Sequence, residues 1–158
     1  MISDGAAAHQ LHLLMADPKF QHAVAAYRHD DESHATAYLA GSSSHGDTVH
    51  FDKDFADAVE RGAVKLHGQA IDPRPAIRVH EAVEGAILRR QFSPGVWMLG
   101  RDPEGAHRVA LIAERYAAEE MFGPGSWPAY FKATAAWSKQ DTRREVPNPP
   151  ADILRVPS

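Results

Sequence analysis

Two long helical segments, each opened by aspartate and proline, constrain the fold of this chain most strongly. The first follows Asp72-Pro73-Arg74-Pro75 and is predicted over about residues 75–91. The second follows Asp102-Pro103 and is predicted over about residues 103–122. Proline is tolerated in the first turn of a helix, and an aspartate in front of it can cap the free backbone N–H groups. Two helices of this length predict a central pair that packs together.

The segment at residues 48–71 predicts a small β structure beside these helices. Thr48-Val49-His50-Phe51 alternates polar and apolar residues, as a half-buried strand does. Residues 63–71 predict a second strand, which Gly68 breaks. Strands this short predict a β-hairpin or a short sheet and not a large one. The expected fold class is therefore α+β and mainly helical.

The remaining segments predict short elements around the central pair. Helices are expected over about residues 6–15 and 18–28, with Asp17 as the N-cap of the second. The composition of residues 41–46 favours a loop. An aromatic segment at residues 127–137 is expected to pack back on the core.

Length and composition indicate one domain and exclude several classes of function. The 158 residues suit one core over residues 1–145, and four prolines predict an extended tail at 146–158. The net charge of −4 offers no basic surplus for nucleic acid. No run approaches the roughly 18 apolar residues that span a membrane, and no secretory signal is evident, so we expect a cytoplasmic protein. Oligomeric state is left open, including a homo-oligomer.

Histidine and glutamate lie on the apolar stripe of the first central helix. At about 100° per residue, His80 and Glu84 fall within the arc that its apolar residues fill. Glu81 lies at the edge of that arc, and Gly85 is expected on the exposed side. Residues four apart on a helix face the same way, which would let His80 and Glu84 chelate one ion.

The second central helix carries a matching pair. His107 and Glu114 fall within an alanine-rich stripe that also includes Met121. Burying a carboxylate without a partner costs several kcal/mol, so both stripes require an explanation. A divalent cation shared by the four ligand-type residues supplies one, and these are His80, Glu84, His107 and Glu114. The chain has no cysteine, and imidazole and carboxylate ligands suit zinc, iron, nickel or manganese.

Direct hydrogen bonds without a metal are the alternative explanation. In that arrangement His80 would pair with Glu114, and His107 with Glu84. The protein would then be a non-enzymatic structural or protein-interaction module, in which the cluster is a structural metal site or a buried hydrogen-bond network.

The string H-E-x-x-E at residues 80–84 resembles the H-E-x-x-H helix of zincin-type metalloproteases. The resemblance implies that His80 is a zinc ligand and Glu81 the general base, while Glu84 stands in place of the second histidine. Residues 72–130 also resemble small uncharacterised proteins of bacteria and their phages. There the second helix carries an A-H-x-x-A pattern, here residues 106–110, followed by a glutamate and a Gly-Trp-Tyr turn.

A catalytic version of this site would hydrolyse amide or ester bonds in a small-molecule or peptide substrate. Three ligands would leave a position for water, whose pKa the metal lowers and whose proton Glu81 takes. Glu114 would be either a fourth ligand or the acceptor of a hydrogen bond from His107. The candidates for stabilising an oxyanion are Tyr130, Arg74 and Arg101.

Overall fold

The computed structural model describes residues 4–29, 39–42, 48–89 and 103–138. Within these ranges the helices are α1 (Asp4–Met15), α2 (Pro18–Ala25), α3 (Lys53–Glu60), α4 (Arg74–Arg89), α5 (Pro103–Phe122) and α6 (Trp127–Ala135). The strands are β1 (Arg28–His29), β2 (Ala40–Ser42), β3 (Thr48–Phe51), β4 (Lys65–Leu66) and β5 (Gln69–Ala70). The predicted α+β, mainly helical class is confirmed. The predicted tail at 146–158 lies outside the described residues.

The packing of α4 against α5 forms the centre of the fold, as the sequence predicted. Their core is made of small and branched side chains: Val83, Ala86 and Ile87 of α4, and Ala106, Val109, Ala110 and Ala113 of α5. Helix α1 covers α5, and α2 covers α4, which closes this core. Small side chains line this interface, and three polar residues within it, His80, Glu84 and Glu114, are buried.

Helix α4 is buried on more sides than its pattern indicated. Residues 82–87 are all buried, because α4 contacts α5, α2, β2 and β3. The prediction that Gly85 is exposed is therefore wrong. The opposite error occurs at Met121, which is 43% exposed because it lies in the last turn of α5.

The β structure consists of two small sheets. In the first, β3 pairs in parallel with β1 and antiparallel with β2. Arg28 was predicted at the end of a helix, but α2 stops at Ala25 and Arg28 begins β1. Gly41 and Ser42 belong to β2 and not to a loop, while residues 43–46 of that predicted loop lie outside the described ranges.

The second sheet is the hairpin of β4 and β5, which confirms a hairpin within residues 48–71. Its two-residue loop is His67-Gly68, with φ values of 51° and 80°. Two central residues with positive φ are the signature of a type I′ turn, whose twist matches the strands beside it. Residues 63–71 therefore form both strands of a hairpin, because Gly68 reverses the chain direction.

Helix α6 packs back onto α5 and β4, as expected for the aromatic segment. Tyr130 is fully buried there, in a small core with Leu66, Ala76 and Ala118. Its ring stacks on Trp127 and Phe122, with centroid distances of 5.4 and 5.9 Å. In the described part of the chain, no helix combines the length and the apolar character needed to cross a membrane.

Candidate metal centre

The interface between α4 and α5 brings together the four residues that were predicted as ligands. His80, Glu84 and Glu114 are buried in it, and His107 is partly buried. The two imidazole rings meet edge to face with their centroids 4.9 Å apart. The spacing of four on α4 and of seven on α5 therefore directs all four side chains to one place.

Two direct contacts join the histidines to the glutamates across the interface. His80 Nδ1 lies 2.9 Å from Glu114 Oε1, and His107 Nδ1 lies 3.0 Å from Glu84 Oε2. This is the pairing that the metal-free alternative predicted. A third, longer contact of 3.7 Å joins His80 Nε2 to Glu84 Oε2.

Glu114 is engaged at both of its oxygens. Oε1 contacts His80, and Oε2 accepts a hydrogen bond of 2.6 Å from the hydroxyl of Tyr130. The sequence left Glu114 with two possible partners: His107 in the metal-bound arrangement and His80 in the metal-free one. The structure pairs Glu114 with His80. The helical angles did not decide between them, because α5 can present Glu114 to either histidine.

The other three residues form a group that could hold a metal ion. His80, Glu84 and His107 each offer one ligand atom, and these atoms all lie within 4.8 Å of one another. Tetrahedral zinc with bonds of about 2.0–2.1 Å places its ligand atoms about 3.3 Å apart. The distances from Glu84 Oε2 to His107 Nδ1 and His80 Nε2, 3.0 and 3.7 Å, lie on either side of that value. Glu114 lies outside this group, on the far nitrogen of His80.

The electrostatics of the group favour charge on Glu84 and His80. Burial alone would raise the pKa of Glu84, but hydrogen bonding to His107 and the nearby His80 lower it to about 2. Burial acts to lower the pKa of His80, but the carboxylates of Glu114 and Glu84 outweigh it and raise that pKa well above its usual value. When His80 is protonated, its positive charge therefore lies between the carboxylates of Glu114 and Glu84, as the charge of a bound cation would.

Glu81 lies beside the cluster on the same helix and behaves differently. Burial, reinforced by the negative charge of Glu84, raises the pKa of Glu81 well above the usual range of a carboxyl group. Its side chain keeps partial contact with solvent. Glu81 is thus a proton-accepting group held close to the candidate ligands and outside their group.

Among the residues of this centre that the structure describes, the three grouped side chains differ in their exposure to solvent. The side chain of His107 is 38% exposed, whereas those of His80 and Glu84 are 7% and 4% exposed. A small molecule or water could therefore approach past His107. The buried side is closed by Glu114 and Tyr130.

Of the three candidates for stabilising an oxyanion, Tyr130 and Arg74 are engaged in other contacts. The Tyr130 hydroxyl donates to Glu114, and burial raises the pKa of this phenol well above its usual value, which keeps it protonated. Arg74 binds Asp72 and Glu60 at the start of α4, about 9 Å along the axis from His80. Arg101 lies outside the described residues.

No protein-family model, curated protein or solved structure matches this chain. The resemblance of residues 80–84 to the zincin helix stays a prediction.

Proposed function

We propose that this protein binds a divalent transition-metal ion, best matched by zinc, and hydrolyses amide or ester bonds at that site. The observation that carries the proposal is the convergence of His80, Glu84 and His107 in a buried interface, with one ligand atom from each within 4.8 Å. Two imidazoles and one carboxylate are a ligand set that catalytic zinc sites use, and such sites keep a further position open. The exposed side of His107 supports access to that position.

The electrostatic balance supports a divalent ion in particular. Glu84 is charged, and the carboxylates of Glu114 and Glu84 together hold the pKa of His80 high, so negative charge is already concentrated around this histidine. A cation would take the place of the proton on His80 and would be neutralised in part by Glu84. Metal binding of this kind releases protons and strengthens as pH rises.

Glu81 is the general base in this proposal. A bound zinc ion supplies a Lewis acid that polarises a carbonyl group and lowers the pKa of water. The Glu81 carboxylate accepts the proton of the attacking water and later delivers it to the leaving group. Burial raises the pKa of Glu81, which makes its carboxylate a stronger proton acceptor than an exposed glutamate.

A second candidate is a metal-free network that fastens α4 to α5 in a structural or protein-interaction module. The contacts at 2.9 and 3.0 Å favour it, because each histidine already has a carboxylate partner. In this candidate His80 carries a proton and the cluster contributes only to stability. The two candidates differ in a property that can be measured, the stoichiometric binding of zinc.

Metal analysis of the purified protein, prepared without chelators, separates the two candidates. We expect one zinc ion per chain in the wild type and its loss in Glu84→Ala and His107→Ala. The variant Glu81→Gln should retain the metal and lose hydrolysis of chromogenic esters and peptides. His12→Ala is the matched control, because His12 is an exposed histidine on α1. A wild type without stoichiometric metal after incubation with zinc would contradict the proposal.

A further inference from the structure

A buried hydrogen-bonded chain crosses three helices and ends at the candidate metal centre. The hydroxyl of Tyr130 on α6 donates to Glu114 Oε2 on α5 at 2.6 Å. Glu114 Oε1 lies 2.9 Å from His80 Nδ1 on α4. All three side chains are buried, so water does not compete for these hydrogen bonds.

This chain determines which nitrogen of His80 faces the ligand group. A carboxylate can only accept, so the Nδ1 that contacts Glu114 must carry a hydrogen. The neutral form of the ring then has its lone pair on Nε2. Nε2 is the atom that points to Glu84, at 3.7 Å. The contact with Glu114 thus orients the ring and selects the tautomer that can coordinate an ion.

Tyr130 in turn fixes the carboxylate of Glu114. Its ring is fully buried and stacked between Trp127 and Phe122, which holds the hydroxyl at one position. The hydrogen bond to Oε2 leaves Oε1 directed at His80. Without it, the carboxylate could rotate about its last bond, since this torsion has broad minima.

We infer that Glu114 and Tyr130 are positioning residues, which hold His80 with Nε2 presented to the metal. This inference rests on the proposed metal site and gives a role to the residues on its buried side. Neither residue is a ligand: Glu114 acts through His80, and Tyr130 acts through Glu114. These hydrogen bonds would not affect metal affinity if their role were only to hold α6 against the core.

The zinc affinity of variants at Tyr130 and Glu114 tests the inference. Tyr130→Phe keeps the ring and removes the hydroxyl, and Glu114→Gln keeps the shape and removes the charge. We expect zinc affinity, measured by competition with a chromophoric chelator, to fall about 10-fold in Tyr130→Phe and up to about 100-fold in Glu114→Gln. With Co²⁺ in place of zinc, both variants should also shift the visible absorption bands, because the orientation of one imidazole changes.

Thr134→Val supplies the matched control on the same helix. Thr134 is buried, and its hydroxyl bonds only to the Tyr130 and Phe131 carbonyls among the contacts of the described residues. This variant should lower thermal stability and leave both the zinc affinity and the Co²⁺ spectrum unchanged.

The outcomes distinguish failure of the inference from failure of the proposed function. If the wild type binds neither zinc nor Co²⁺, the metal site itself is refuted, and the positioning role with it. If the wild type binds and Tyr130→Phe and Glu114→Gln bind equally well with unchanged spectra, the positioning role is overturned while the metal site stands. Should Glu114→Gln not fold, Tyr130→Phe alone decides.

Discussion

Two clusters of charged side chains along helix α4 have similar distances, but the carboxylates of one are exposed and those of the other are buried. At the start of α4, Arg74 lies 2.8 Å from Glu60 and 2.9 Å from Asp72. In its middle, His80 and His107 lie 2.9 and 3.0 Å from their glutamates. The Glu60 side chain is 68% exposed, whereas that of Glu84 is 4% exposed.

These two clusters show that the distance within an ion pair does not by itself indicate how much the pair contributes to stability. Water screens the cluster at Arg74, and exposed pairs of this kind contribute about 0–1 kcal/mol to stability. In the buried cluster each charge has lost its hydration, so every partner becomes necessary to the others. A metal ion in the buried cluster would compensate this loss of hydration, a cost that the exposed carboxylates near Arg74 do not incur.

Removing the shared carboxylate should have the largest effect. Glu84→Ala leaves His80 and His107 facing each other without the negative charge between them. We expect the free energy of unfolding of the metal-free protein, measured in urea, to fall by about 3–5 kcal/mol. A loss below about 1 kcal/mol would mean that this cluster contributes no more to stability than the cluster at Arg74.

The second-largest effect should be the pH dependence of the stability that the buried cluster contributes. The pKa of Glu84 is lowered from 4.5 to about 2, so its contribution is present above about pH 4.5 and is lost as pH falls towards 2. The pKa of His80 is raised, so its contribution is full below pH 6.5 and is lost as pH rises through the raised value. The metal-free buried cluster should therefore contribute most between about pH 4.5 and 6.5.

Unfolding of the wild type and Glu84→Gln in urea at several pH values, with chelator present, measures this dependence. The variant keeps the shape of the side chain and removes its titration. The stability difference should shrink by about 3 kcal/mol between pH 5.5 and pH 2, at 1.36 kcal/mol per pKa unit. A constant difference between the wild type and Glu84→Gln across this pH range would refute the assigned charge state.

Removing the Tyr130 hydroxyl should have an intermediate effect. It donates to a buried carboxylate, and hydrogen bonds to charged groups contribute about 1.5–3 kcal/mol. We expect Tyr130→Phe to lower the free energy of unfolding by that amount in the metal-free protein. No measurable loss would mean that Glu114 finds another donor in solution.

Breaking the exposed cluster should have the smallest effect. Glu60→Ala removes one partner of Arg74, which keeps its contact with Asp72. The expected loss is at most about 1 kcal/mol, and it should diminish in high salt. A loss comparable to that of Glu84→Ala would remove the distinction between the two regions.

The helices and the site's residues were predictable because both follow from local periodicity. Proline and aspartate mark where α4 and α5 begin, and spacings of four and seven direct His80, Glu84, His107 and Glu114 to one side of each helix. The burial of Gly85 was not predictable from the pattern of α4 alone, because it depends on β2 and β3, which pack against α4 from elsewhere in the chain.

The partners within the site were harder to predict than its members. Whether Glu114 meets His80 or His107 depends on how α5 is rotated and shifted against α4, and helical angles do not contain that information. The contact of Tyr130 with Glu114 depends on the turn at residues 123–125 and on how α6 docks. The turn contains Gly123 and Gly125, both with positive φ, and the docking of α6 is set by the small core around Tyr130.

A crystal structure of the zinc-treated protein, with anomalous data collected on both sides of the zinc absorption edge, would determine directly whether a metal ion binds between α4 and α5. We expect one anomalous peak among His80 Nε2, Glu84 and His107, about 2.0–2.2 Å from each ligand atom. Glu114 and Tyr130 should remain hydrogen-bonded behind His80. A structure without such a peak, in which His80 and His107 keep their direct contacts with Glu114 and Glu84, would contradict the proposed metal site.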